Sequence, residues 1–209
     1  MFVLPQIKKD MEFNKSLHSL VEVLKSIAVS HYHILERKIK NEEKFFSILE
    51  DFFTFPYLKQ ARHPFLSKSD RPLGVIAITS DMGLLGGLNM KVMTMAFEEA
   101  QAVHRSKLIV IGEKGHALAR DKKFSFVAFP GVKDEERFSQ AMSLRDFVTE
   151  EVLAGKIGSL EVIFPEPVSF LNQKIKKVVL LPFAIPEVNE ASGADEASVI
   201  IESNVSDII

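Results

Sequence analysis

The sequence contains no cysteine. Without a thiol, the chain forms no disulfide, has no thiolate nucleophile and builds no cysteine zinc site. A strong charge imbalance is also absent, because 26 Lys and Arg residues oppose 28 Asp and Glu residues and give a formal net charge of -2. This balance gives no reason to expect nucleic acid as a partner or direct binding to an anionic membrane.

Long apolar runs are absent as well. No run approaches the roughly 20 residues that a membrane-spanning helix needs. The longest lies near Val178–Ile185, and Pro182 interrupts it. Charged residues from Lys8 to Glu12 break up the N-terminal segment too early for the core of a signal peptide. We therefore expect any membrane association to occur only through a partner protein.

Glycine and proline are missing from Gln6 to Phe55, where apolar residues recur at alternating steps of three and four. This pattern predicts a long helix with an apolar stripe, typical of a coiled coil, and we assign residues 1–58 to it as an N-terminal shaft. Roughly fifty residues of helix reach about 75 Å, whereas a domain formed by the rest has a radius of gyration of about 15 Å. Much of the stripe therefore needs another helix. The stripe residues that we expect to face this partner are Leu17, Leu20, Leu24, Ile27 and Leu35.

Beyond a charged, proline-containing linker at 59–72, β-branched apolar runs alternate with helical patterns. This alternation indicates an α/β domain at 73–185 with a Rossmann-like, mainly parallel sheet and flanking helices. The predicted strands are Leu73–Thr79, Lys107–Ile111, Phe124–Phe129, Ser159–Phe164, Val168–Leu171 and Lys174–Leu181. The predicted helices are Leu88–His104, Glu113–Arg120 and Asp134–Leu153. A tight turn at Asn172-Gln173 predicts that the last two strands form an antiparallel hairpin at one edge.

Residues 186–209 begin with an acidic segment of small residues, which we expect to be mobile. Ser203 or Asn204 then has the chemistry of a helix N-cap. The sequence stops at Ile209, so it predicts only the start of a C-terminal helix whose remainder is missing.

A glycine-containing turn joins the first predicted strand to the first helix of the α/β domain. The turn carries Asp81, Gly83, Gly86 and Gly87. A strand, a glycine turn and a helix N-terminus together resemble an anion-binding site. The spacing, however, matches neither a Walker motif nor G-x-G-x-x-G.

The charges near this turn weigh against an anion site. No basic residue lies between Gly74 and Met90, and Asp81 would repel a phosphate. The alternative is a structural turn, in which the glycines allow strand and helix to pack closely and Asp81 caps the turn or accepts from its amides. Both interpretations remain open from the residues alone.

Other residues give little indication of chemistry. His31 and His33 lie two positions apart on the predicted helix and face different ways, and no histidine spacing matches a metal site. We therefore predict no catalytic residue, no metal and no cofactor. An aromatic cluster near the end of the shaft indicates either core packing or a docking surface for a partner. Its members are Phe45, Phe46, Phe52, Phe53, Phe55 and Tyr57.

The segment Ile78–Asn89, I-T-S-D-M-G-L-L-G-G-L-N, resembles the gamma subunit of F-type ATP synthases, in which a strand is followed by S-D-R-G-L-C-G-G-L-N. Met82 and Leu85 replace the Arg and Cys of that family. Further similarities cover the start of the shaft and the end of the second strand. At the start of the shaft, Ile7-Lys8-Lys9 matches the family's I-K-[RK], and K-S-I-A-V-S at 25–30 resembles its K-M-V-A-A-S. After the second strand, Gly112-Glu113-Lys114-Gly115 resembles its G-x-K-G.

The resemblance implies a rotor and not an enzyme. In that family the N- and C-terminal helices wind into a coiled coil inside a ring of catalytic alpha and beta subunits. The α/β domain lies at the base of this shaft, near the epsilon subunit and the membrane ring of c subunits. The implied location is peripheral, on the cytoplasmic face of a bacterial inner membrane, with contact to the membrane only through partner subunits. The family's glycine turn binds no nucleotide.

Two features depart from the family pattern. The second shaft helix has no counterpart before Ile209, and acidic residues such as Asp10, Glu12 and Glu22 make the shaft less basic than usual. The leading hypothesis is thus a divergent, non-catalytic central-stalk gamma subunit that couples ion translocation to ATP synthesis or hydrolysis by rotation. The alternative is a phosphate- or nucleotide-binding α/β protein with a coiled-coil oligomerisation helix.

Overall fold

A computed structural model describes residues 3–53, 63–67, 69–83, 86–169 and 172–183, with the side chains of 4–37 described in the first of these ranges. The chain divides into two compact units, Met1–Phe52 and Phe53–Ile209. The aromatic cluster predicted around the end of the shaft lies outside the described residues or side chains. The predicted acidic segment and C-terminal helix start at 186–209 lie outside them as well.

The first unit contains one helix, α1, at Val3–Phe53. Its sequence carries no glycine, and its single proline, Pro5, lies in the first turn, where a missing N–H removes no helical hydrogen bond. The predicted partner-facing side chains are all exposed on α1. Their exposed fractions are 46% for Leu17, 55% for Leu20, 57% for Leu24, 48% for Ile27 and 45% for Leu35. Within the described ranges, no helix has the length and apolar character that a membrane crossing needs.

The second unit contains a five-stranded sheet in the order β3-β2-β1-β4-β5. The strands are β1 Leu73–Ile78, β2 Lys107–Ile111, β3 Phe126–Phe129, β4 Ser159–Pro167 and β5 Gln173–Leu181. The β1 strand pairs in parallel with both β2 and β4, and β2 pairs in parallel with β3. Only β5 is antiparallel to its neighbour, β4. The predicted Rossmann-like, mainly parallel sheet is therefore confirmed.

Three helices cover the two faces of this sheet: α2 at Leu88–Ala102, α3 at Glu113–Asp121 and α4 at Arg137–Leu153. Alternate residues of β1 face opposite layers, as the two-residue period of a strand requires. Val75 and Ala77 pack with α2 and α3 in one core, whereas Ile76 packs with α4 in the other. Burial on both faces explains why β1 and β2 are continuously apolar.

The hairpin at the sheet edge differs from its prediction. The predicted separate strand at Val168–Leu171 is wrong in its described part, because 168 and 169 form a bend and β4 itself continues to Pro167. Residues 170 and 171 lie outside the described residues. The antiparallel edge is real, but β5 pairs with β4. The additional part of β4 contains Pro165 and Pro167. Both lie beyond Ile163, where β4 no longer pairs with β1, so their missing N–H groups remove no hydrogen bond to that strand.

A buried carboxylate joins α4 to β2. Glu151 is 8% exposed, and it accepts hydrogen bonds from Lys107 at the start of β2 and, at 3.1 Å, from Lys156. The hydrogen bond from Lys107 holds the pKa of Glu151 below its ordinary value of 4.5, against the opposing effect of burial and with help from Lys156. The charged form of this carboxylate therefore stabilises the folded domain.

We expect Glu151→Gln to lower the free energy of unfolding by about 1–3 kcal/mol at pH 7, because a charged hydrogen-bonding pair is lost from a buried position. Since the pKa is lowered in the folded state, this stabilisation is present above pH 4.5 and disappears as the pH falls through the folded-state pKa. Urea unfolding of both proteins between pH 7 and pH 3 measures the difference. The exposed neighbour provides the control, Glu150→Gln, for which we expect almost no change. Equal losses in the two variants would contradict the assigned role.

Candidate functional site

The predicted turn lies at the carboxyl end of β1, the central strand of the sheet. The structure describes its residues 79–83 and 86–87, whereas Leu84 and Leu85 lie outside the described residues. The carboxyl ends of β2 and β3 lie beside it, because all three strands are parallel. This edge is where open α/β sheets bind ligands, so it is the first place to look for a site.

The N-terminus of α3 is capped by three consecutive residues of this turn. A helix leaves its first backbone amides without partners inside the helix, and these amides form the usual anion site. Here all three amides of Glu113–Gly115 donate to oxygen atoms of the turn. The bonds run from Gly115 N to Thr79 Oγ1, from Lys114 N to Ser80 O and from Glu113 N to Asp81 Oδ1, each at 3.0 Å. These amides are therefore occupied by the protein itself.

Thr79 also ties β1 to β2. Its backbone N–H donates to Ile111 O at 2.8 Å, and its hydroxyl donates to the same carbonyl at 2.6 Å. The side chain is buried, with 7% exposed. Because the hydroxyl donates to Ile111 and accepts from Gly115, both of its functions are satisfied without a ligand.

Ser80 connects the turn to α2. Its backbone N–H donates to Asn89 Oδ1 at 3.1 Å, and the Asn89 amide donates back to Ser80 Oγ at 2.9 Å. The same hydroxyl donates to Met82 O at 2.7 Å. The Ser-Asp and Leu-Asn elements of the motif thus hold β1, α2 and α3 together through side-chain hydrogen bonds.

The sequence analysis proposed that the turn glycines allow strand and helix to pack closely, and the described residues contradict this role. Among the described residues, no atom lies within 4 Å of a Cβ placed at Gly86 or Gly87. Among the same residues, a Cβ placed at Gly83 would contact only the side chain of Lys114, at 3.8 Å. Gly86 instead supplies a positive φ of 54°, which an L side chain rarely adopts. Gly86 therefore shapes the turn, and no described atom packs closely against Gly86 or Gly87.

Against the residues of this turn and β2, close packing occurs at three other glycines that the sequence analysis did not select for this purpose. A Cβ at Gly115 would lie 2.5 Å from both Thr79 Oγ1 and Val110 Cγ1. At Gly112 it would lie 2.7 Å from the Thr79 carbonyl carbon, and at Gly131 it would overlap the Asp81 carboxylate. The sequence offered one signal for these closely packed glycines. The G-E-K-G similarity at 112–115 contains Gly112 and Gly115, two of the three.

The structure brings one cation to the turn, Lys114, although the local sequence has none. An apolar cavity of about 550 Å³ lies beside the turn, between the carboxyl ends of the strands and the first half of α4. Its lining includes Ile78, Ile111, Phe129 and Leu144. Arg137 also lines it, but its guanidinium pairs with Asp134 at 3.3 Å.

His116 shows how the histidines are used in this domain. It is buried at 5% exposure, its Nε2 lies 2.9 Å from Val110 O, and its ring stacks on Phe126. These contacts are those of a core histidine. Within the described residues, no group of three or more His, Cys, Asp or Glu side chains has the arrangement of a metal site.

The two predicted sets of site residues fall in different units of the chain. Asp81, Gly83, Gly86 and Gly87 belong to the α/β unit, and the exposed stripe belongs to α1. Within the turn, Asp81 reaches α3 through its carboxylate, while Gly83, Gly86 and Gly87 contribute backbone only. The turn is therefore best described as a structural junction.

Comparison with known proteins identifies related chains over most of the sequence. A family model described as ATP synthase matches residues 3–209. The ATP synthase gamma chain of Desulforamulus reducens is 23% identical over 184 residues, which cover 86% of this chain and 65% of that one. The ATP synthase gamma chain of Clostridium acetobutylicum is 30% identical over 144 residues, covering 66% of this chain and 51% of that one.

The chain also matches a solved structure of the central stalk and c-ring of the Tetrahymena thermophila mitochondrial ATP synthase. The sequence identity is 22% and the TM-score is 0.45, and the match covers 60% of this chain and 58% of that chain. The chain spans slightly less than two thirds of the length of the first curated relatives. Because the family model covers the sequence from residue 3 to residue 209, the chain belongs to the ATP synthase family.

Proposed function

We propose that the chain is a non-catalytic central-stalk gamma subunit, a rotor that couples ion translocation to ATP synthesis or hydrolysis in an F-type ATP synthase. The observation that carries the proposal is α1. It continues for 51 residues and exposes an apolar stripe along one side. The curated relatives that match the chain are gamma chains, which supports the same function.

The length and surface of α1 support a shaft. At 1.5 Å per residue, a helix of 51 residues is about 77 Å long. Five stripe side chains at 45–57% exposure would each contribute about 1–2 kcal/mol if a partner covered them. A stripe of this kind is unfavourable in water and favourable in a coiled coil or inside a ring of subunits.

The partners that we propose are the alpha, beta and epsilon subunits and the c-ring of the synthase. In this arrangement catalysis takes place in the beta subunits, and this chain transmits torque. Its location is the cytoplasmic face of a bacterial inner membrane, which it reaches only through partner subunits. The bacterial gamma chains among its relatives support this placement.

One observation favours the alternative, a phosphate- or nucleotide-binding α/β protein with a coiled-coil oligomerisation helix. The apolar cavity lies at the sheet edge where such proteins bind ligands. At this edge, however, the first amides of α3 are not free for a phosphate, because they are occupied by the turn and Asp81 places a carboxylate beside them. The geometry therefore favours the rotor.

Co-expression with the cognate alpha, beta and epsilon subunits tests the proposal. We expect the chain to co-purify with them at a fixed stoichiometry. We also expect titration of the isolated chain with ATP, ADP or NAD to shift no NMR signal of the residues that line the apolar cavity beside the turn. Binding of a nucleotide to the isolated chain, without co-purification of any synthase subunit, would support the alternative and contradict the rotor.

A further inference from the structure

A second cavity lies at the opposite end of the sheet from the turn. Its volume is about 280 Å³, and it lies where β1 and β4 begin, since Leu73 pairs with Ser159. Pro64 and Ile157 contribute apolar groups to its lining. The remaining lining residues are His63, Ser67, Ser69, Arg71 and Gly158. All of them belong to the α/β unit.

The polar side chains of this cavity have hydrogen atoms to donate. Ser69 Oγ accepts from Arg71 N at 3.1 Å, so its hydroxyl hydrogen is free to point elsewhere. His63 Nδ1 accepts from Phe65 N at 3.3 Å, which in the neutral ring places the hydrogen on Nε2. The guanidinium of Arg71 forms no ion pair with any carboxylate of the described residues. No carboxylate is among the lining residues either.

Two glycines leave room for the donor side chains of Ser69 and Arg71. A Cβ at Gly158 would lie 2.6 Å from Ser69 Oγ and 2.5 Å from Arg71 Cβ, so only glycine leaves room for them. Gly155 has a φ of 73°, and a Cβ there would lie 3.1 Å from Arg71 Cζ. Gly158 N also donates to Pro72 O at 2.9 Å, which fixes the segment carrying Arg71 against the start of β4.

We propose that this cavity binds a small oxyanion of the phosphate class. Arg71 offers paired N–H groups that match two oxygen atoms of a phosphate, and the serine and histidine donors match the remaining oxygens. A carboxylate has only two oxygens and would leave donors unused. The proposal does not rest on the rotor function, because none of the residues that line the cavity is on α1, the helix that carries the rotor proposal.

Titration of the 209-residue chain with inorganic phosphate at constant ionic strength tests the proposal. The readout is the NMR shift of the backbone amides of Ser69, Arg71 and Gly158. We expect saturable shifts, and we expect Arg71→Gln to weaken binding at least about tenfold because it removes the charged bidentate donor. The matched control is Arg105→Gln, which removes one exposed positive charge elsewhere and should leave the affinity unchanged.

A second variant, Ser69→Ala, keeps the charge and removes one donor, so it should weaken binding by a smaller factor. It also keeps the test decisive if Arg71→Gln perturbs folding. Linear shifts that sodium chloride reproduces would overturn the proposal, as would equal affinity in Arg71→Gln and the parent chain. Acetate binding as tightly as phosphate would overturn the assignment to the phosphate class. Because no synthase subunit is present, these results do not depend on the proposed rotor function.

Discussion

Replacing Gly112 by alanine should lower the free energy of unfolding of the α/β domain by at least about 3 kcal/mol. Two costs combine at this residue. Its φ of 99° and ψ of 141° lie in a region that L side chains rarely occupy. The added Cβ would also lie 2.7 Å from the Thr79 carbonyl carbon and 2.9 Å from its Oγ1. Relief requires the backbone to move, because the nearest atoms belong to the peptide group of Thr79.

The movement would reach every hydrogen bond of the junction. Gly112 N donates to Phe129 O at 3.1 Å, and Thr79 N donates to the adjacent Ile111 O. A displacement at Gly112 therefore strains β1, β2 and β3 together and weakens the cap on α3. Since domains of this size are stable by only about 5–15 kcal/mol, the expected loss is a large share of the total.

Two other glycine substitutions separate these costs. Gly86→Ala has an unfavourable φ of 54° but no described atom within 4 Å, so we expect a loss of about 1 kcal/mol. Gly87→Ala has a φ of -82° and equal space, so we expect less than about 1 kcal/mol. Urea unfolding followed by NMR signals of β1 and β2 measures the domain without interference from α1. A loss at Gly112 no greater than the loss at Gly86 would contradict the packing argument.

The sheet was largely predictable from local patterns. Lys107–Ile111 was predicted with the bounds that the structure has, because a short β-branched run between a charged turn and a glycine has few alternatives. The antiparallel edge was predictable too, but the full length of β4 was not, since proline penalties depend on which neighbour a strand segment has. Pro165 and Pro167 are tolerated in β4 only because that segment pairs with β5 alone.

The turn was located correctly but explained incorrectly. Three glycines in one stretch suggested close packing, yet close contact depends on what lies opposite in space, and Gly86 and Gly87 face no described atom. The glycines that do pack are contributed by the ends of β2 and β3 and by α3. Their partner is Thr79–Asp81, more than thirty residues away along the chain. A pattern within a short stretch of sequence cannot reveal contacts between residues so far apart along the chain.

The pairing of the charged side chains Lys107 and Glu151 could not be predicted from the sequence either. Lys107 and Glu151 form a hydrogen bond across 44 positions of the chain. Arg71 approaches Gly155 only because the segment before β1 crosses the end of α4. By contrast, the stripe on α1 was predictable because its spacing is local, and its residues are exposed on that helix.

The largest expected effect on assembly comes from that stripe. The double variant Leu24→Asp with Ile27→Asp should weaken association with the alpha and beta subunits at least about a thousandfold. Each substitution removes about 1–2 kcal/mol of apolar burial and places a carboxylate where the partner surface excludes water. Leu24 and Ile27 are 57% and 48% exposed in the chain alone, so the same changes should leave its folding intact.

The control places the same charges on the other side of α1. At 100° per residue, Ser26 and His33 lie roughly opposite the stripe, and Ser26→Asp with His33→Asp adds two carboxylates there. We expect this variant to co-purify with the synthase subunits more strongly than the stripe variant, with equal helix content by circular dichroism. If both variants assembled equally well, the stripe would not be the surface that partners cover, and α1 would lose its role as the shaft. If the stripe variant alone lost its helix content, the defect would lie in folding. Retained helix with lost assembly is therefore the result that specifically supports a rotor.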